Sequence, residues 1–203
     1  MAKEKNIGVL VSGRGSNLQA LIDAVESKKI NGRISVVISN KKDAFALERA
    51  GKHGIKTAVI DHKQYSGREE FEKEIVKCLD DNEVDLVCLA GFMRVLTSFF
   101  VSKYPNRIIN IHPALLPSFP GVDAQKQAID YGVKVSGCTV HFVDEGTDTG
   151  PIILQKIVRV LDTDNEHTLA EKILEEEHKA YAEAVALFCD DRIEIQGRRI
   201  FIK

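Results

Sequence analysis

The sequence has no excess of one charge and no long apolar run. Its 28 lysines and arginines face 30 aspartates and glutamates, which gives a formal net charge of −2. Nucleic-acid-binding domains usually carry a basic excess, so we expect no nucleic acid as a partner. No stretch resembles a signal peptide or a membrane span. We therefore expect a soluble, cytoplasmic protein that makes no use of a membrane.

Cysteines are few and scattered. The chain has four of them, and no two form a C-x-x-C pair. In a reducing cytoplasm such cysteines are expected to be small buried apolar residues rather than disulfides or metal ligands. No other side chains show the spacing of a metal site, so the sequence predicts no bound metal.

Repeats, low-complexity segments and linkers are also missing, and 203 residues are enough for one domain with a full core. Short, nearly continuous apolar runs alternate with longer amphipathic ones. Strands that are buried on both faces look like these runs. The predicted strands of the first half are 7–11, 34–38, 57–60, 84–89 and 108–111, and the predicted helices between them are 16–28, 43–53, 67–80 and roughly 95–103.

The second half of the chain has a different arrangement of predicted helices and strands. We expect a helix at 123–131, two longer strands at 134–143 and 151–160, a final long helix to about Cys189, and a hairpin of 192–196 with 199–202. Thr163-x-x-Glu166 offers a capping box for the long helix. The sequence therefore predicts one α/β domain over residues 1–203, with a mostly parallel twisted sheet flanked by helices that becomes mixed in the C-terminal half.

A glycine loop, SGRGSN at 12–17, follows the first predicted strand and opens a helix. A helix N-terminus with exposed N–H groups attracts anions. The third glycine of the dinucleotide pattern is replaced by Leu18, and no acidic residue follows the second strand to hold a ribose. A small phosphate is favoured over a dinucleotide, and a plain glycine turn into a helix stays open as the alternative.

Polar residues interrupt the apolar strand that ends in NIHPALLPSFPG, at 110–121. Asn110 and His112 are two residues apart and so point to one face of the strand, at the carboxyl end where open α/β sheets bind ligands. Three prolines then limit the freedom of the following loop. The alternative is a core histidine with its hydrogen bonds satisfied and an asparagine that bonds the loop.

Two further places carry acidic residues that need an explanation. The loop DEGTDTG holds Asp144, Glu145 and Asp148, which are either solvated or include one that reaches His112. Glu177 interrupts the apolar stripe of the final helix. Such a carboxylate lies at the rim of the core or binds a cationic group.

Four motifs occur in order across residues 6–160: SGRGSNL, AGFMRVL, NIHPALLPSFPG and GCTVHFVDEGTDTGPII. With them the sequence resembles the phosphoribosylglycinamide formyltransferases, the glycinamide ribonucleotide branch of the folate-dependent formyltransferase family, whose fold is Rossmann-like. The N-x-H…D pattern is shared by the wider family, whereas the glycine loop is particular to this branch.

The resemblance implies a role for each matching residue. The N-terminal half, about 1–105, would bind phosphate, and the C-terminal half, about 106–203, would bind folate and catalyse the reaction. The implied catalytic residues are Asn110, His112 and Asp148. The implied contacts with glycinamide ribonucleotide are Gly15, Ser16, Asn17 and Glu177. The implied folate contacts are Arg68, Met93, Arg94, Val95, Leu96, Asn110, Asp144 and Asp148.

The reaction that the resemblance implies is transfer of the formyl group of 10-formyltetrahydrofolate, the co-substrate, to the amine of glycinamide ribonucleotide in purine biosynthesis. Asn110 and a protonated His112 would stabilise the oxyanion, and Asp148 would raise the pKa of His112 above that of a free imidazole. The partners would be these two small molecules, and the protein would be a monomer or a homodimer.

Some residues depart from the family pattern. Ala182 replaces a common proline, Thr147 an aliphatic residue, and Leu174 an expected polar contact. Two relatives with extra domains, the formyltetrahydrofolate hydrolases and the methionyl-tRNA formyltransferases, are not expected, because the first strand begins near residue 6 and the last hairpin ends close to residue 203. A nucleotide-binding module without catalysis is the rival from another class.

Overall fold

One seven-stranded sheet runs through both halves of the chain in the computed structural model, which describes residues 3–203. Residues 1 and 2, where the predicted domain begins, lie outside the described part. The strands are β1 (Lys5–Val11), β2 (Gly32–Ser39), β3 (Thr57–Val59), β4 (Leu86–Leu89), β5 (Ile108–His112), β6 (Val135–Phe142) and β7 (Ile152–Arg159).

The strand order is β3-β2-β1-β4-β5-β6-β7. All pairs up to β4–β5 are parallel, and β6 and β7 join antiparallel. The predicted α/β fold, parallel at first and mixed in the C-terminal half, is confirmed. Reversal of direction after β5 has a local consequence: the end of β5 lies beside the middle and end of β6.

Helices cover both faces of the sheet, as the continuous apolar strands predict. They are α1 (Ser16–Glu26), α2 (Phe45–Lys52), α3 (Arg68–Asp80), α4 (Ser98–Lys103), α5 (Ala124–Tyr131) and α6 (Glu166–Cys189), with a short 3-10 helix at His62–Gln64. In β1, Ile7, Val9 and Val11 pack in the layer with α1 and α6, whereas Leu10 packs in the layer with α3 and α4. Strand β1 thus contributes to two cores.

Helix α4 is shorter than predicted, because it begins at Ser98 rather than near 95. Thr97 is its N-cap residue, and its backbone N–H donates to Oε1 of the buried Glu72 on α3 at 2.8 Å. The Thr97 hydroxyl donates to the other oxygen of the same carboxylate. This carboxylate satisfies a helix N-terminus from a different element, which the local sequence does not reveal.

Helix α6 has the predicted span but a different capping box. The Asn165 side chain accepts hydrogen bonds from the N–H groups of His167 and Thr168, and the Thr168 hydroxyl accepts from the N–H of Asn165. The box predicted at Thr163 and Glu166 is therefore wrong by two residues. Asparagine caps a helix about as well as serine or threonine, so N-cap preference alone does not favour Thr163 over Asn165.

Tyr181 ties α6 to the centre of the sheet. Its side chain is wholly buried, and its hydroxyl lies 3.0 Å from the carbonyl oxygen of Leu89 and 3.1 Å from that of Ile109. Burial raises the pKa of this phenol well above its usual value, so it acts as a neutral donor. The helix thereby anchors the ends of β4 and β5.

The last segment forms a separate hairpin of β8 (Ile193–Gln196) and β9 (Arg199–Ile202). Gly197 adopts a φ of 61° in the turn, as the predicted Gly197-Arg198 turn requires. Of the cysteines, Cys88, Cys138 and Cys189 are buried and Cys78 is half-buried. Within residues 3–203, no helix has the length and apolar character needed to cross a membrane.

Candidate functional site

The carboxyl end of β5 carries a cluster of four polar side chains. In the antiparallel register, Asn110 lies directly opposite His141 of β6. The amide nitrogen of Asn110 is 3.2 Å from Nε2 of His141. The Asp148 carboxylate lies 3.3 Å from Nδ1 of His112 and 3.6 Å from Nε2 of His141. The three residues predicted from the sequence are therefore brought together, with His141 between Asn110 and Asp148.

Backbone carbonyl groups orient both imidazoles. Nδ1–H of His141 donates to the carbonyl oxygen of Phe142 at 2.8 Å, which turns Nε2 toward Asn110 and Asp148. Nε2–H of His112 donates to the carbonyl oxygen of Phe119 at 2.8 Å, which turns Nδ1 toward Asp148. A carbonyl oxygen can only accept a hydrogen bond, so the ring nitrogen that faces it is the one that carries the proton.

The pKa of His112 shifts in the opposite direction to the one expected from the sequence. Burial is the largest influence on its imidazole and lowers its pKa below the usual 6.5, although Asp148 and the Phe119 carbonyl act to raise it. The expected net rise is thus wrong, because the desolvation of the ring outweighs its acidic neighbour. Burial also acts to raise the pKa of Asp148, but the two neighbouring imidazoles and the Gly121 N–H outweigh it and lower the pKa of this carboxyl below its usual range. A carboxylate beside a neutral ring results.

The proline-rich segment 113–121 holds this pair from both sides. Besides the Phe119 carbonyl on His112, the N–H of Gly121 donates to Oδ2 of Asp148 at 2.8 Å. Phe119 and Asp148 both have a φ of 55°, in the left-handed region that non-glycine residues rarely adopt. Such backbone strain costs about 1–3 kcal/mol per residue and accumulates at functional sites.

Side chains from β6 and β7 fix the same segment. The hydroxyl of the wholly buried Thr139 donates to the Ala114 carbonyl at 2.6 Å and accepts from the Leu116 N–H at 3.0 Å. The Gln155 amide donates to the Leu116 carbonyl and to the Thr139 hydroxyl, both at 3.0 Å. The loop is therefore rigid through hydrogen bonds as well as through its prolines.

The glycine loop needs glycine at position 15 for two reasons. Gly15 is the N-cap of α1 with a φ of 73°, and a Cβ there would lie 2.6 Å from Cβ of Ala46. No side chain caps α1, so its first N–H groups have no side-chain acceptor at the N-cap. Arg49 donates from Nε to the Arg14 carbonyl at 3.0 Å and adds a cation beside the loop. Close packing explains Gly15, while the uncapped N–H groups suit an anion.

Glu177 meets the glycine loop directly. It is 7% exposed, and its Oε2 accepts from the Asn17 amide at 2.8 Å. The carboxylate therefore lies below the rim of the core, and its hydrogen-bond partner within residues 3–203 is a neutral amide. Burial raises the Glu177 pKa, and the Asn17 bond acts in the opposite direction. Oδ1 of Asn17 is buried and accepts no hydrogen bond within residues 3–203.

The residues expected to contact folate are placed in different surroundings. Met93 and Val95 are 72% and 58% exposed, whereas Leu96 is buried and Arg94 half-buried. Arg68 is exposed at the first position of α3.

Asp144 accepts from the Gly146 N–H at 3.1 Å and from the Thr149 hydroxyl at 2.6 Å, so its carboxylate shapes its own loop.

Two functional features are missed by sequence reasoning. His141 is within the quoted motif GCTVHFVDEG, and the signal for it is its position on the strand that pairs with β5. The buried polar pair Ser12 and Asn40 follows β1 and β2 at the same edge of the sheet, and it has no sequence signature beyond two polar residues at strand ends. Among residues 3–203, no three His, Cys, Asp or Glu side chains form a group suited to a metal ion.

Comparison with known proteins finds a match to the formyl transferase family model over residues 5–185. Phosphoribosylglycinamide formyltransferase of Escherichia coli (strain K12) is 44% identical over 190 residues, covering 94% of this chain and 90% of that protein. Glycinamide ribonucleotide transformylase 1 from Symbiobacterium toebii has a similar structure, with a TM-score of 0.97 and 50% identity over 98% of this chain and 94% of the other.

A longer relative also matches. The trifunctional purine biosynthetic protein adenosine-3 of Drosophila melanogaster is 49% identical over 187 residues, which are 91% of this chain. The chain spans only 14% of the length of that protein.

Proposed function

The chain belongs to the formyl transferase family, and on this premise we propose that it transfers a formyl group from 10-formyltetrahydrofolate to the amine of glycinamide ribonucleotide, a step of purine biosynthesis. The observation that carries the proposal is the cluster of Asn110, His112, His141 and Asp148 at the carboxyl end of β5. The names of two matching relatives contain glycinamide ribonucleotide and the transfer of a formyl group, which supports the choice of acceptor and of the group transferred.

Asn110 and His112 stabilise the oxyanion in the proposed reaction. The substrate amine attacks the formyl carbon, and negative charge develops on the formyl oxygen. One N–H of the Asn110 amide is directed at His141, and an amide carries two, so the second is available to that oxygen. Removal of one such donor typically lowers turnover about 10²–10³-fold. His112, neutral at rest, takes up the proton that the attacking amine releases, and its positive charge then stabilises the oxyanion.

Asp148 and His112 together transfer the proton that the reaction moves. The new N–C bond leaves a proton on the attacking nitrogen, and the breaking bond to N10 of the folate requires one there. Asp148 contacts both imidazoles and takes part in moving this proton, directly or through a water. Proton transfer of this kind contributes about 10²–10⁴-fold. Formyl passes directly from N10 to the amine, with no covalent intermediate on the protein.

The glycine loop binds the phosphate of the ribonucleotide in this proposal. Gly15, Ser16 and Asn17 present the uncapped start of α1, where backbone N–H groups and the helix dipole attract an anion. Glu177 faces the amine end of the same substrate. Its buried carboxylate and the unpartnered Oδ1 of Asn17 are both acceptors, which an amine can satisfy.

Folate binds on the other side of the cluster. The exposed Met93 and Val95, with Arg94, Leu96 and the 144–148 loop, enclose the pterin, and Arg68 meets the carboxylate tail. These assignments follow from the family resemblance and from the exposure of Met93, Val95 and Arg68. The N-terminal half then holds the phosphate, the C-terminal half supplies the catalytic cluster, and the enzyme works in the cytoplasm.

Folate product formation tests the proposal. Purified protein is incubated with 10-formyltetrahydrofolate, with and without glycinamide ribonucleotide, and the absorbance of the folate product is followed. We expect product only when the ribonucleotide is present. Equal release without it would show hydrolysis, and no release with both substrates would refute the proposed transfer.

The residue assignment is tested with His112→Ala and Asn110→Ala. We expect turnover to fall at least about 10²-fold in each, because each removes a group that stabilises the oxyanion. His167→Ala is the matched control, since this histidine is 86% exposed at the start of α6 and pairs only with its neighbour Glu166 at 3.5 Å. Turnover near the wild-type level in either cluster variant would contradict the assignment.

A further inference from the structure

The segment 91–97 between β4 and α4 contains neither helix nor strand. Its position therefore depends on side chains from elsewhere, since its N–H groups are not part of a helix or sheet. Two buried side chains serve this purpose. The Met93 N–H donates to Oγ of Ser12 at 2.9 Å, and the Thr97 N–H donates to Glu72 at 2.8 Å. Ser12 and Glu72 are only 3% and 2% exposed.

Ser12 is itself held by a second buried residue. Its hydroxyl donates to Oδ1 of Asn40 at 2.6 Å, and the Asn40 amide is 3.3 Å from Nδ1 of His62. Because the hydroxyl hydrogen points to Asn40, a lone pair of Oγ is directed at the Met93 N–H. Asn40 thus fixes the rotation of the Ser12 hydroxyl, so that the hydroxyl oxygen accepts from the Met93 N–H.

We propose that Ser12 and Asn40 are positioning residues for the folate co-substrate: they hold the Met93 backbone where the 91–97 segment meets the pterin. The inference rests on the proposed function. Both side chains are buried, so they act through Met93 rather than by contact with a substrate. The pair spans the ends of β1 and β2 and so joins the segment to the rigid part of the sheet.

The chain offers a matched control in Ser39. This serine is wholly buried at the end of β2, one residue before Asn40, and its hydroxyl donates to the Lys41 carbonyl at 2.7 Å. It makes the same kind of buried hydrogen bond as Ser12 but has no bond to the 91–97 segment. Ser39→Ala and Ser12→Ala therefore remove similar groups and differ only in what those groups hold.

Steady-state kinetics test the proposal. In Ser12→Ala we expect the KM for 10-formyltetrahydrofolate to rise about three- to tenfold, the range given by the loss of one hydrogen bond. The KM for glycinamide ribonucleotide and kcat should stay within about twofold, because the cluster at β5 is untouched. Ser39→Ala should leave the folate KM unchanged. In Ser12→Ala/Asn40→Ala the rise should be no larger than in Ser12→Ala, since the two residues act in series.

Amide hydrogen exchange provides a measurement that does not depend on the reaction. The Met93 amide should exchange several-fold faster in Ser12→Ala than in the wild type or in Ser39→Ala. An inactive wild type would overturn the proposed function while this exchange result could still stand. Equal Met93 exchange in both serine variants, or a fall in kcat with an unchanged folate KM, would overturn the positioning role.

Discussion

Asp148→Asn separates two opposing influences on the pKa of His112, the burial of the ring and the charge of Asp148. The carboxylate oxygen lies 3.3 Å from Nδ1 of His112 and also accepts from the Gly121 N–H. An asparagine at this position keeps a carbonyl oxygen for Gly121, so the segment 113–121 stays in place while the negative charge is removed. Burial of the ring is unchanged. Of the two influences that raise the pKa of His112, the charge of Asp148 is lost and the hydrogen bond to the Phe119 carbonyl remains.

The expected size of the effect follows from the distance. Two unit charges 4 Å apart interact by about 4 kcal/mol at an effective dielectric constant of 20. One pKa unit corresponds to about 1.4 kcal/mol, so such an interaction amounts to roughly three units before screening by solvent. Asp148 is partly open to solvent, so we expect the pKa of His112 to fall by about one to two units from a value already below 6.5.

NMR titration of the histidine ring protons measures this shift. His112→Asn and His141→Asn variants assign the two resonances, because both rings approach the same carboxylate. Asp144→Asn is the control, since the Asp144 carboxylate bonds only within its own loop and should leave the titration unchanged. An unchanged or raised His112 pKa in Asp148→Asn would refute the electrostatic reasoning.

Three further variants test other parts of the fold. The folded-state pKa of Glu177 is raised by burial, so its contribution to stability is present below about pH 4.5 and is lost as pH rises through the folded pKa. Glu177→Gln should therefore raise Tm by a few degrees at pH 8 and not at pH 4, and equal shifts at both would contradict this. Gly15→Ala should lower the free energy of unfolding in urea by at least about 2 kcal/mol, because of the positive φ and the close approach of α2, while Gly13→Ala, with no atom within 4 Å of its added Cβ, should have little effect. Thr139→Val should lower Tm by several degrees in calorimetry and also slow turnover, because the segment 113–121 loses two hydrogen bonds. An unchanged Tm in Thr139→Val would show that the prolines alone hold the segment.

The architecture was predictable because the central strands are apolar on both faces and alternate with amphipathic helices. The exact ends of the helices were less predictable from the sequence. The start of α4 depends on Glu72, which lies 25 residues before Thr97 in the sequence, and the capping box of α6 depended on a choice between two adequate patterns. Both errors arise where a cap, rather than an apolar pattern, decides the boundary.

The site was predictable where spacing along one strand was sufficient. Asn110 and His112 share a face because a strand alternates, and this needs no tertiary information. His141 was missed because its contact with Asn110 depends on the β5–β6 register. The pKa of His112 was predicted in the wrong direction because burial of the ring is a property of the whole fold.

The reversal of strand direction after β5 has a consequence for folding during synthesis. Strands β1–β5 are synthesised before β6, so Asn110 and His112 are made before His141 and Asp148. Helix α6 follows later still, and Tyr181 then binds the carbonyls of β4 and β5. A nascent chain can therefore form the uncapped start of α1 early, but not the acid and the second imidazole. The four polar side chains at the end of β5 come together only when β6 and the loop after it have been added.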